Sequence, residues 1–221
     1  MSENERLQLP TSPYIEQVKR WPESGRHILA QFDDETIIVY QAYRPEIGHF
    51  AAKNGFFGGD FQYSRMSWIK PNFLWMMYRS DWGRLEGQEV ILAIRLRRTF
   101  FDTLLQQAVF SSFGASGLSD RQAWKAAVSN SDVRLQWDPD HLPTGDKCER
   151  RAVQLGLRGK ALEAFGKHEA IEILDVSEFV AEQRQHVGNW QSGSLMTPTE
   201  YVYRPNEPEA ASTVGLDIFE R

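Results

Sequence analysis

Apolar and polar positions along this chain alternate in short blocks of two periodicities, which predicts strands and helices interleaved. Thr36–Tyr40 (TIIVY) is a β-branched and aromatic run after the turn-like Asp33-Asp34, and it predicts a strand. Val90–Leu96 (VILAIRL) is the clearest core strand, with shorter ones expected at Val133–Trp137, Ala152–Leu157 and Ala170–Leu174. Between them lie helical signals. Pro45-Glu46 opens a helix from Ile47 to Lys53, and Asn54-Gly55 supplies its stop. Phe100, Leu104, Leu105 and Ala108 give helical spacing over Thr99–Val109. Ser119-Asp120-Arg121-Gln122 has capping-box form and starts a helix through Val128. Small helices fit Lys160–Phe165 and Ser177–Gln185, and Met66–Tyr78, broken by Pro71, reads as two short extended or mixed segments.

The spacings between strands are too uneven for a regular βαβ array. The expected fold is therefore α+β, a single domain over residues 26–203 with a mixed or antiparallel sheet and flanking helices. The strands at 36–40, 90–96 and 152–157 are each apolar enough to need neighbours and are expected to share one sheet. Residues 1–25, with Pro10, Pro13 and Pro22, read as an arm holding at most a short helix near Tyr14–Arg20. Residues 204–221 read as a tail, and the whole stretch from His186, rich in Pro, Ser, Thr and Glu, as loosely ordered.

Composition narrows the chemistry. Cys148 is the only cysteine, so neither an internal disulfide nor a Cys-rich zinc site is available. The polar amino terminus lacks secretory form, and no apolar run approaches a bilayer span, so the cytoplasm is the expected compartment. A net charge of -5 argues against coating nucleic acid by bulk electrostatics. Locally the balance reverses. Between Phe61 and Phe100 lie Arg65, Lys70, Arg79, Arg84, Arg95, Arg97 and Arg98 against Asp81, Glu86 and Glu89. Such a stretch suits either an anion site or a solvated basic face.

Nucleotide-binding glycine loops, metalloprotease helices and nucleophile elbows are absent. The five histidines are scattered without metal-ligand spacing, and with them Cys148 is given a structural role. Asp138 and Asp140, in WDPD, suit a cation but more often form an Asx turn. The unusual segment is Arg65–Trp82 (RMSWIKPNFLWMMYRSDW), where Trp68, Trp75 and Trp82 interleave with Arg65, Lys70 and Arg79. In a strand, alternation places Trp68 and Lys70 on one face. Aromatic walls with cations between them suit a planar anionic ligand, by stacking and charge-assisted hydrogen bonds. The competing reading makes Trp68, Phe73, Trp75 and Met76 core with the cations at its edge. Trp75, in the most apolar part of the run, is expected in the core, and Trp68, with polar neighbours, at a cleft. If Arg65, Lys70 and Arg79 bind an anion, at least two must converge on one concave surface. Gln41 and Tyr43, closing the first strand, are further candidates, as is Gln154, between Val153 and Leu155, for which an exposed edge is the favoured position.

The stretches Ile38–Ile47 (IVYQAYRPEI), Arg65–Trp82, Val153–Leu157 (VQLGL) and Leu195–Tyr203 (LMTPTEYVY) resemble the domain-of-unknown-function family four-two-nine-one of bacteria and fungi. The resemblance spans most of the chain and implies a full-length single-domain member, with no function attached. At pattern level the chain is also similar to ADP-ribosyltransferase-type folds, which bind NAD in a split sheet. That similarity implies Gln41 in the place of a first-strand His or Arg, Tyr43 or Trp68 stacking the nicotinamide, and Gln154 at the acidic position. The chain departs from the pattern at both ends, since a glutamine orients a cationic ribose without supplying charge. Glu46 is the nearest acidic residue in sequence to serve instead.

Two functions follow as expectations. One is an NAD-dependent ADP-ribosyltransferase-like enzyme acting on a nucleic acid or nucleotide-containing substrate. There Arg65, Lys70 and Arg79 hold phosphates, Trp68 and Tyr43 stack rings, and Gln41 and Gln154 orient the ribose. The alternative is a non-catalytic nucleotide- or nucleic-acid-binding module using the same groove, since base stacking alone contributes roughly 1–3 kcal/mol per base. No membrane partner is expected, and the sequence does not set the oligomeric state.

Overall fold

The computed structural model describes residues 9–217. In chain order its elements are β1 (Thr11–Pro13), α1 (Tyr14–Val18), β2 (Gly25–Arg26), β3 (Ile28–Ala30), β4 (Thr36–Tyr43), α2 (Pro45–Asn54) and β5 (Ser67–Ile69). Then come α3 (Phe73–Ser80), β6 (Val90–Arg97), α4 (Arg98–Gln106), β7 (Ala108–Phe110), α5 (Arg121–Asn130), β8 (Val133–His141) and β9 (Lys147–Leu157). The chain continues through α6 (Gly159–Ala164), β10 (Ala170–Asp175), α7 (Ser177–Arg184), β11 (Met196–Pro198), β12 (Tyr201–Tyr203) and α8 (Pro208–Val214). The fold is α+β. Among the described residues no helix is long and apolar enough to cross a membrane.

Two sheets form the frame. In one, β6 lies between β4 and β10 with antiparallel pairing on both sides. In the other, β9 pairs with β8 and β5 antiparallel and with β2 parallel, while β7 runs parallel to β8. The expectation of one shared sheet is corrected here: residues 152–157 lie in β9, apart from β4 and β6. The sheets meet at one point, where Tyr40 and Lys70 exchange backbone hydrogen bonds, Tyr40 N–H to Lys70 O at 2.7 Å and the reverse at 3.2 Å. Beyond Lys70 the chain turns into α3, and before it β5 pairs with β9 in place of β4, so the two sheets share no further ladder.

Strand β4 is buried on both faces, which explains its uninterrupted apolar run. Ile37 and Val39 pack into the core between the sheets with Leu92, Ile94, Val133, Leu135, Val153, Leu155 and Leu157. Ile38 and Tyr40 pack the other way, into a second core with Phe73, Met76 and Met77 of α3 and Tyr14 and Trp21 near the amino terminus.

Several elements differ from the sequence reading, each for a physical reason. Met66–Tyr78 is a strand and then a helix: Asn72 caps α3, its side-chain oxygen accepting from Trp75 N–H at 2.7 Å. Glu200, wholly buried, accepts from Phe73 N–H at 2.6 Å and from the Asn72 amide at 3.0 Å. Burial raises the Glu200 carboxyl to about 8. The helix over Thr99–Val109 ends at Gln106, and Ala108–Phe110 is strand. Asp120, rather than Ser119, caps α5 through Gln122 N–H at 2.8 Å. WDPD is part of β8, with Pro139 at a register shift where one side of the strand is unpaired.

The stretch from His186 is ordered rather than loose. It supplies β11, which pairs with β1, β12, which pairs with β3, and α8, whose Ala210 and Val214 are buried. The amino-terminal segment is docked by the same means. Gln17 receives Glu200 N–H at 2.8 Å and donates to Thr197 Oγ1 at 2.9 Å, so a polar residue replaces apolar packing. Residues 1–8 of the expected arm and 218–221 of the expected tail lie outside the described residues.

A buried ion pair fastens the start of the chain to the second sheet. Arg150 reaches Asp140 at 2.6 Å, donates to Pro22 O at 2.6 Å and stacks on Trp21. Replacing Arg150 with Met leaves Asp140 charged and unpaired in the interior. The expected cost is about 3–5 kcal/mol of stability, read by chemical denaturation.

Candidate functional site

The splayed sheets leave a groove around β5. Inward positions of β8 and β9 (Val133, Leu135, Val153, Leu155) fill the inter-sheet core, so alternation turns Gln136, Asp138 and Gln154 to the opposite face. There they line a cavity of about 410 Å³ with Trp68, Lys70, Trp75 and Arg79. A second cavity of about 380 Å³ shares Trp68, Lys70 and Arg79 and adds Gln41, Tyr43, Arg65 and Ser67. A third, of about 520 Å³, continues through Tyr43, Arg65 and Ser67 to Arg44, Asp60 and Phe61. Volumes of this size suit small-molecule ligands.

Gln41, Tyr43, Arg65, Trp68, Lys70, Arg79 and Gln154 therefore line adjoining cavities that share residues. Arg65, Lys70 and Arg79 line a common cavity, satisfying the convergence that an anion site requires. Trp68 lies half-buried across from Gly156 on β9, where an added Cβ would stand 3.0 Å from its indole. The glycine makes room for the ring. Trp75 is 5% exposed and stacks with Tyr78 and His141, fixing α3 on the end of β8. Gln41 donates to Ser67 Oγ at 2.7 Å and Trp68 O at 3.2 Å, and the Tyr43 hydroxyl meets Ser67 Oγ at 2.6 Å. These side chains bridge β4 and β5 where backbone pairing has ceased. Burial pushes the Tyr43 hydroxyl well above its ordinary value, so it stays neutral.

Asp138, which the sequence reading assigned to an Asx turn, is a strand residue whose carboxylate lines the groove. Its two oxygens accept from the amides of Gln136 and Gln154, each at 2.8 Å, and it forms no ion pair among the described residues. Gln154 is half-buried, on a strand with neighbours on both sides, and not on an exposed edge strand. Glu46 is displaced from the role expected of it, lying exposed in α2 beside Arg44. The sequence signal for Asp138 was the period-two alternation running from Val133 through Trp137, which extends one residue further before the proline.

Lys70 sits at the junction of the first two cavities, 6% exposed. Its ammonium makes no hydrogen bond or ion pair among the described residues. Burial, and after it the charge of Arg79, lower its pKa to about 8 against the opposing pull of Asp138. Gln41 Oε1 and Trp75 Nε1 are buried without hydrogen-bond partners.

Cys148 is half-buried, with burial and Asp140 raising its thiol, which does not favour a reactive thiolate. Among the described residues no three of His, Cys, Asp and Glu cluster as metal ligands.

The family model described as Domain of unknown function (DUF4291) matches residues 27–203. No curated protein matches the sequence.

Two expectations follow. Replacing Trp75 with Ala should cost about 3–5 kcal/mol, as truncation of an enclosed aromatic does. Lys70→Met should stabilise the unliganded protein. The native pKa lies below the ordinary lysine value of 10.5, so the unfolded chain binds more protons between about 8 and 10.5 and stability rises with pH there. The gain on substitution is therefore full below pH 8, on the order of 3 kcal/mol, and vanishes above 10.5. Denaturation curves at neutral and alkaline pH measure both.

Proposed function

The chain belongs to the DUF4291 family, and we propose that its groove binds a nucleotide-containing ligand. The observation that carries this reading is the common cavity of Arg65, Lys70 and Arg79 beside the open flank of Trp68. Three cations around one hollow attract a phosphate or diphosphate, although the chain as a whole is acidic. The half-buried indole offers a planar ring a surface to stack on. The Gln136, Gln154 and Gln41 amides add polar positions suited to ribose hydroxyls or a base edge.

In its catalytic form this reading is NAD-dependent ADP-ribosyl transfer to a nucleic acid or nucleotide-containing substrate. Asp138 supports that form: it supplies the negative charge that a cationic ribose needs and that Gln154 alone lacks. Gln154 becomes a positioning residue that holds the carboxylate. The alternative is a binding module without chemistry, for which Asp138 would accept hydrogen bonds from the ligand.

Thermal denaturation with NAD, ADP-ribose, ATP, GTP and short RNA and DNA tests the proposal. A ligand at about 100 times its dissociation constant should stabilise by roughly 2.7 kcal/mol. Trp68→Ala should abolish that shift while leaving the unliganded midpoint almost unchanged. If none of these compounds shifts the midpoint, the groove does not serve nucleotides. Release of nicotinamide from NAD, lost in Asp138→Asn with binding retained, separates the catalytic form from the binding module.

A further inference from the structure

We propose that Lys70 is a nucleophile, and that its amine accepts a nucleotidyl group from a nucleoside di- or triphosphate ester bound in the groove. The inference rests on the nucleotide reading above and adds a covalent step to it.

The geometry of Lys70 is unlike that of an ordinary structural lysine. Surface lysines are solvated, and buried ones are paired; this one is enclosed, and among the described residues its nitrogen has neither a hydrogen bond nor an ion pair. Its backbone is held by the Tyr40 hydrogen bonds, so the side chain projects from a fixed origin. The following Pro71 and the Asn72 cap prevent that origin from shifting along the strand. The amine lines the cavity that holds Trp68 and Asp138 and also the cavity that holds Arg65 and Tyr43. A base stacked on Trp68 and phosphates drawn to Arg65 and Arg79 would bring the α-phosphate next to it.

The charged groups facing the amine are Arg79 from α3 and Asp138 from β8. The neighbouring guanidinium and the loss of water both favour the neutral amine, the form that attacks. With a pKa of about 8, about one amine in ten is neutral at pH 7. An ordinary lysine would have fewer than about one in a thousand.

In the step, the nitrogen lone pair attacks the α-phosphorus and a P–N bond forms. The P–O bond to the leaving group breaks, and that oxygen keeps the electron pair. Pyrophosphate leaves from a triphosphate, and a mononucleotide leaves from a dinucleotide such as NAD. The attacking nitrogen gives up one proton, to the Asp138 carboxylate in the same cavity or to water. The product is a lysyl phosphoramidate, which can pass the nucleotidyl group to an acceptor.

The test incubates the full chain with ATP, GTP or NAD as their magnesium complexes and reads the intact mass. A gain of one nucleoside monophosphate, mapped to the Lys70 peptide, stable in alkali and lost in acid, is expected. Labelling should rise with pH from about 6 and level off above about 8, following the neutral amine. Lys70→Arg removes the nucleophile and should lose the label even at a nucleotide concentration that saturates the variant's own thermal shift. If wild-type protein shows the shift but no adduct, or the adduct maps elsewhere or persists in Lys70→Arg, the nucleophile proposal fails and nucleotide binding stands. A gain of ADP-ribose from NAD, with nicotinamide released, overturns it in favour of attack at the ribose. Absence of any thermal shift removes both readings together.

Discussion

Two backbone hydrogen bonds between Tyr40 and Lys70 join β4 to β5, and the site depends on where that pairing stops. On the amino-terminal side of Tyr40, β4 is closed on both faces by the two cores. Past it, β5 gives its backbone pairing to β9, so Gln41 and Tyr43 reach Ser67 through side chains instead. Side chains reach farther than a β ladder, and the two sheets part by that difference. A groove between sheets therefore forms without any loss of core packing, because the apolar faces have already been buried one residue earlier.

The same junction explains the electrostatics. Lys70 is carried into the interior by its backbone partner, and no carboxylate is placed close enough to neutralise it. The nearest negative charge, Asp138, has both oxygens occupied by Gln136 and Gln154. Leaving an amine in this condition costs stability in the empty protein, a pattern common at sites that are completed by a ligand. The Asp140–Arg150 pair two residues along the same strand shows the contrast, since there each charge has its partner and no cavity is involved.

Much of this was legible in the sequence because local patterns agreed with the tertiary structure. TIIVY, VILAIRL and the Pro45–Gly55 helix are each favoured by their own composition and were kept by the fold. The interleaved tryptophans and cations of Arg65–Trp82 pointed to the groove because alternation sends Trp68 and Lys70 to one side whichever partner β5 takes. What escaped the sequence were features decided at a distance. The helix α3 follows a proline and is held by Glu200, a residue far along the chain. The docked amino terminus depends on β11, and Asp138 on a strand that continues through a proline usually read as a turn. Strand partners are equally invisible: nothing in Ala152–Leu157 says that it joins β8 and β5 rather than β6.

Lys70 is buried with no ion-pair or hydrogen-bond partner among the described residues, and its titration tests that most directly. Nuclear magnetic resonance of the Lys70 side chain, assigned by comparison with Lys70→Arg, should show a midpoint at about 8 in the unliganded protein. The midpoint should move upward when a nucleoside triphosphate is added, because phosphate charge beside the amine favours its protonated form. A midpoint at the ordinary 10.5, unmoved by nucleotide, would contradict the account.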